Sequence, residues 1–386
     1  MRSMVKRWIM VSSIALISAG CATSNNTTPN ASNGRSAVAV PQAPTTRTGH
    51  LIEPGPAAEL GYRIGWAQDM ALPDSQRITA YAVLDDLLVV IEAPLNVVTA
   101  YSLRDGERVW KRQYGSVLET FHTPVRDSER VFLNTESRMF TVRAADGELL
   151  AVANLEAPVS TGPAFNEERG LAIFGGVNGL VFAHSVNNNF AHWRYKMPSR
   201  ISNTPVINQQ AVFIVDNSGK YVMLDSSNGE ILWGDKTLGD VVAAPAVHGS
   251  EVFIASRDRK LYSINRLTGS DTWKYLGAQR PLTAAPVALG RIVILPLPPD
   301  GGVIALDALQ GTELWTNGVN AHPIVERQQD LLMHTDNRIL LMDLGNGEVL
   351  TSAATLDLQT VIPGPGDSLI LFNPQGRLLK LNRQTD

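Results

Sequence analysis

LDSSNGEILW (224–233) decides the fold, because the chain writes it again and again. INRLTGSDTW (264–273), LDALQGTELW (306–315) and YSLRDGERVW (101–110) are its clearest copies. Each reads as a short apolar strand, a polar turn closing on Gly, and a second strand reaching Trp. The turn position is held by Gly106, Gly147, Asn189, Gly229, Gly269, Gly311 and Gly347, at steps of 41, 42, 40, 40, 42 and 36 residues. Asn is the usual replacement where a turn needs positive φ, so Asn189 keeps the geometry. Four residues on come Trp110, Ala151, Trp193, Trp233, Trp273, Trp315 and Thr351, so two copies lack the aromatic. Self-similarity at this period marks a repeat architecture.

A second marker runs in step with the first. Pro124, Pro163, Pro205, Pro245, Pro286, Pro323 and Pro363 each precede an apolar run such as AVFIV (211–215), EVFIA (251–255) or RIVIL (291–295). Proline cannot donate to a sheet ladder, so it belongs at a strand's start or edge. Asn178-Gly179, Asp105-Gly106 and Asn228-Gly229 supply hairpin turns. After the N-terminus no segment holds a 3.6-residue apolar period, so the body reads as all-β. Units of about 40 residues with four strands are propeller blades. Seven run from about residue 78 to 357, and an eighth stops at LLKLNRQTD (378–386) without its last strand. YRIGWAQ (62–68), with Trp66, offers that strand from the other end. The expectation is an eight-bladed β-propeller of four-stranded blades, its ring closed by an N-terminal strand. The 36-residue step leaves seven blades open.

The address is written in residues 1–21. Arg2, Lys6 and Arg7 precede an apolar stretch from Trp8 to Ile17, too short for a comfortable span and suited to a secretory signal. It ends in Ser18-Ala19-Gly20-Cys21, which resembles the bacterial lipobox, although Ser stands where that motif prefers Leu. Cys21 is the only cysteine, so the chain has no disulfide to make. The resemblance implies a lipid-modified Cys21, carrying palmitate among its acyl chains, as the mature N-terminus. Ala22 follows where Asp would resemble an inner-membrane retention signal, which implies the outer membrane, facing the periplasm. The expected domains are a signal peptide at 1–20, a Ser/Thr/Asn/Pro-rich disordered tether at 21–60, and the propeller at 61–386.

The repeat resembles the PQQ-like propeller repeat, roughly Ala-Leu-Asp-x-x-x-Gly-x-x-x-Trp, with ALDALQGTELW (305–315) close to it. With the lipobox and tether, the chain resembles the lipoprotein propellers of the outer-membrane β-barrel assembly machinery. That resemblance implies a non-catalytic scaffold docking on the barrel-forming subunit through loops between blades. It places Arg200, in SRISNTP (199–205), and Asp240, in GDVVAAP (239–245), at the family's contact segments. The Leu before the family's Arg and its second Asp are not matched. Recognition of another envelope protein or a glycan is the second reading. LPLPPDGG (295–302) and VIPGPGD (361–367), stiffened by proline, are further candidate contacts or plain spacers.

The third reading, a quinoprotein dehydrogenase holding PQQ and Ca²⁺, finds little here. Such enzymes resemble this fold but are far longer and often use a vicinal disulfide, which one cysteine cannot form. Asp225 and Asp307 fall at the repeat's own Asp, where capping a turn accounts for them. His50, His122, His184, His192, His248, His322 and His334 are scattered. His184 and His192 could face across a hairpin, but no third metal ligand accompanies them. There is no Gly-x-Ser-x-Gly elbow, phosphate-binding loop or Cys-x-x-Cys. We expect no cofactor, no metal and no catalytic residue. A net charge of −4 gives no reason to expect nucleic acid as a partner.

Overall fold

The computed structural model describes residues 51–384 except 74 and 209. It contains eight four-stranded antiparallel sheets arranged as blades of one ring. Blades 1 to 7 span 77–113, 125–154, 164–196, 206–236, 246–275, 287–317 and 322–354. Blade 8 takes three strands from 360–383 and its outermost from Tyr62–Asp69. That outer strand runs antiparallel to Arg377–Arg383, with Tyr62 opposite Arg383 and Asp69 opposite Arg377. The expected closure is therefore the observed one, and the ring has eight blades, not seven. The 36-residue step reflects a short crossover, Asn317 to His322, rather than a missing strand.

Burial explains the runs. The second and third strands of each blade are covered on both faces by the neighbouring blades, so they read as continuous apolar segments. Ala211–Val215 and Lys220–Asp225 are buried along most of their length. Outer strands are covered on one side only: in Arg108–Gln113 only Trp110 is buried. The core is accordingly divided into eight apolar clusters, one at each junction between consecutive blades.

The prolines obey the sheet in two ways. Pro124, Pro163, Pro205, Pro245 and Pro286 stand immediately before an inner strand. Pro323 lies within its strand at a bulge, and Pro363 ends its strand. Both alternatives spare the ladder an absent donor.

Two expectations need correction. The tether does not extend to residue 60. Leu51, Ile52, Ala57 and Leu60 are buried, and a short helix, Pro54–Glu59, packs on the outer strand of blade 7. An apolar cluster of that kind buries enough surface to hold its segment in place. Second, His184 does not face His192. A bulge after Ala183 sets His184 opposite Ala191 and leaves His192 without a partner in the ladder.

Candidate partner-binding surface

The repeated residues are occupied by the ring itself. Each turn Gly has positive φ, and the indole of the preceding blade lies against it. A Cβ on Gly311 would sit 2.4 Å from the Trp273 ring, and one on Gly229 2.5 Å from Trp193. Each indole N–H then donates to the backbone of the next blade: Trp110 to Ala144 O at 2.9 Å, Trp193 to Ser226 O at 2.9 Å, Trp315 to Leu344 O at 2.8 Å. Buried indole needs such a partner. The repeat's Asp caps the turn: Asp307 Oδ1 accepts the N–H groups of Leu309 and Gln310 at 2.8 Å, and Asp225 Oδ1 accepts that of Ser227 at 2.7 Å. Turn capping thus accounts for both carboxylates. Among the described residues no group of three or more His, Cys, Asp or Glu could hold a metal.

Function must therefore use what the ring leaves exposed. The chain passes from each outer strand to the next blade's inner strand through a crossover segment. Arg200 and Asp240 lie in successive crossovers, each seven residues after its Trp, and both are exposed. The backbone fixes them alike. Arg200 O accepts Asn217 N–H, and Asp240 O accepts Arg257 N–H, both at 2.9 Å. The ring thus presents the two opposite charges at the same repeat position in successive crossovers. Sequence reasoning missed exposed leucines in these crossovers: Leu238, two residues before Asp240, is 78% exposed, and Leu276, in the next crossover, 66%. The next crossover breaks the series: the buried Leu282 corresponds to Ile201 and Val241, so Pro281 holds the place of Arg200 and Asp240, and the nearby Arg280 is half-buried. The surface offers apolar contact area and opposite charges, which suits a protein partner.

The proline-rich loops part company. LPLPPDGG (295–302) joins the second and third strands of blade 6, whereas VIPGPGD (361–367) joins the first and second strands of blade 8. Those connections lie at opposite ends of the strands, so the two segments cannot form one surface with each other. Cys21 lies outside the described residues, and no helix among them is long and apolar enough to cross a membrane.

Histidines pair elsewhere than expected. His322 and His334 stand opposite each other on adjacent strands of blade 7, ring centroids 5.2 Å apart. Burial lowers the pKa of His334 to about 4, and the neighbouring His322 adds to the shift. Burial also lowers His122, His184 and His322. Each such group binds its proton in the unfolded chain first, so stability is present above pH 6.5 and is lost as pH falls toward the folded value. His334 alone should cost roughly 1–2 kcal/mol between pH 7 and pH 5. Carboxylates held low by Arg partners, such as Glu119 beside Arg138, lose their contribution only at lower pH. Urea unfolding at the two pH values checks this, and His334→Gln should flatten the difference. An unchanged midpoint at pH 5 would contradict it.

Comparison with known proteins follows this geometry. A family model described as outer membrane protein assembly factor BamB matches residues 63–194 and 177–386. Curated proteins of the same description match parts of the chain. That of Nitrosomonas eutropha is 26% identical over 141 residues, 36% of this chain and 34% of the relative. That of Yersinia pestis is 24% identical over 216 residues, 51% of this chain and 53% of the relative. The chain thus spans about half or less of the length of these curated relatives. Among solved structures, BamB from Moraxella catarrhalis superposes with a TM-score of 0.66 at 17% identity, over 83% of this chain and 99% of that one. The computationally designed Ika8 protein does as well, with a TM-score of 0.66 at 13% identity and the same coverage. At these identities the likeness is one of fold, which hosts many functions.

Proposed function

Because the chain belongs to the family described as outer membrane protein assembly factor BamB, we propose that it is a non-catalytic scaffold in outer-membrane protein assembly. The observation that carries this reading is the family match, which spans nearly the whole ring. Support comes from the ring's economy: its repeated Gly, Asp and Trp residues serve blade geometry, and the charged and apolar groups left outward suit docking. In this reading the protein is an outer-membrane lipoprotein, held through Cys21 and facing the periplasm. Its partner is the barrel-forming subunit of the assembly machinery. Arg200 and Asp240 meet it, with Leu238 and Leu276 as the apolar contacts. Rim charges of this kind set orientation and encounter rate, while the apolar centre supplies most of the affinity.

Crosslinking and affinity capture from detergent-solubilised native membranes test the reading. The barrel-forming subunit should be recovered with the wild-type chain. The double variant Arg200→Glu/Asp240→Lys should lower its capture roughly tenfold, equivalent to about 1.4 kcal/mol. Both sites are exposed, so the melting temperature should not move. Recovery of the subunit at wild-type level would reject the assigned surface. Recovery of no assembly subunit at all would reject the assembly role.

A further inference from the structure

Eight junctions join each blade to the next, and six are filled by an indole. Trp66, Trp110, Trp193, Trp233, Trp273 and Trp315 each lie on the turn of the following blade. The two junctions without one differ. At blades 7 and 8, where Thr351 replaces Trp, the chain supplies a plug from elsewhere. Leu51, Ile52, Ala57 and Leu60 join Ala353 and Leu358 in one buried cluster, and Leu356 N–H donates to Leu51 O at 2.9 Å. A junction lacking its aromatic is thus covered by an added segment.

At blades 2 and 3 no such cover exists among the described residues. Ala151 replaces Trp, and Asn189 replaces the turn Gly. A third substitution coincides with these two. The position that packs with the indole in the other junctions is apolar: Tyr101 with Trp66, Val142 with Trp110, Leu224 with Trp193, Met342 with Trp315. Here it is His184, 1% exposed, whose Nε2 has no hydrogen-bond partner. A cleft of about 490 Å³ opens there, lined by His184, Asn189, Phe190, Asn154 and Leu155, with Glu156 and Arg194 beside them. Ligand-binding pockets span roughly 300–1,000 Å³, so this cleft is large enough to bind. Phe190 stands 51% exposed at the cleft, and Arg194 Nε bonds Glu156 Oε1 across the two blades at 2.8 Å.

We propose that this cleft is a binding site for an aromatic side chain, tryptophan foremost, carried by an extended segment of another protein. Three substitutions at one junction remove the ring's own aromatic, its landing Gly and an apolar wall. In their place stand an exposed aromatic and a buried nitrogen. An entering indole stacks beside Phe190 and gives its N–H to His184 Nε2, as the resident indoles give theirs to backbone carbonyls. Burial lowers the pKa of His184, and neutral imidazole keeps one nitrogen as an acceptor. The Asn189 Cβ prevents the ring from lying on the turn itself, so the guest sits beside the turn. Residues 21–50 contain no Phe, Tyr or Trp, and residues 51–60 already cover the junction of blades 7 and 8. With Trp8 removed in the signal peptide, as the lipoprotein reading has it, the aromatic comes from outside. This site shares no residue with Arg200 and Asp240 and does not depend on the assembly reading.

The test uses the purified full-length chain and a defined probe, acetyl-Gly-Ser-(5-fluoro-Trp)-Ser-Gly-amide, followed by ¹⁹F NMR. The fluorine line should broaden and shift on adding protein, and a peptide with Ser in place of the Trp should not displace the probe. Ala151→Trp/Asn189→Gly restores the consensus and fills the cleft in cis, so it should weaken binding at least tenfold. Phe190→Ala changes an exposed residue, leaves the fold intact and should weaken binding similarly. No broadening at millimolar probe overturns the proposal. So does equal binding by either variant, because the probe would then be elsewhere on the ring.

Discussion

A chain lacking residues 51–69 should show no cooperative melting transition by circular dichroism. The deletion removes the outer strand of blade 8 and leaves Arg377–Arg383 as an open edge. It empties the junction at Gly106, where Trp66 packs and donates to Leu103 O at 3.1 Å. Losing a buried Trp alone costs about 3–5 kcal/mol. Leu51, Ile52, Leu60 and Tyr62, all buried in one cluster, go with it, and fully burying each large apolar side chain contributes about 1.5–3 kcal/mol. Arg327 also loses Leu60 O, its acceptor at 2.9 Å, and the Tyr62 ring beneath its guanidinium. The combined loss is comparable with the ~5–15 kcal/mol that separates a folded protein from its unfolded ensemble. A transition retained within a few degrees of wild type would show that the ring closes without this strand.

Gly311→Val should destabilise the ring by roughly 2–5 kcal/mol, measured by urea unfolding. Two terms add. Gly311 has φ +70, a conformation costing a β-branched residue at least ~1–2 kcal/mol. The new Cβ would also meet the Trp273 ring at 2.4 Å, and overpacking of that kind costs about 1–3 kcal/mol. Gly249→Ala separates the terms. Gly249 has φ +58 with nothing within 4 Å of its Cβ position, so only the backbone cost of about 1 kcal/mol applies. Equal losses at the two sites would mean that the indole stack contributes little to holding the blades together.

The repeat made the fold legible because each blade solves the same problem locally. A turn needing positive φ selects Gly or Asn, and Asn189 indeed has φ 58. A buried strand selects a continuous apolar run, and an edge selects Pro. These constraints act within a few residues, so they leave a period in the sequence. The closing strand was legible for a related reason: Trp66 matched the pattern but had no unit to belong to.

What stayed hidden depends on neighbours distant in the chain. The plug of Leu51, Ile52 and Pro54–Glu59 has no repeat signature, and its flanking composition resembles the tether. His322 and His334 meet because adjacent strands set them opposite each other, a register no spacing rule announced. His184 was noticed for a partner it does not have. Its importance comes from Ala151 and Asn189, whose substitutions looked separate until the ring brought them to one junction.

The sequence by itself determined the all-β ring of 40-residue blades, the turn geometry and the roles of Gly, Asp and Trp, because short-range sterics and burial impose them on every copy; the count of eight came from the sheets. Only the tertiary structure decided which broken copies are covered and which stand open. Those outcomes arise between blades, where residues tens to hundreds of positions apart share one space.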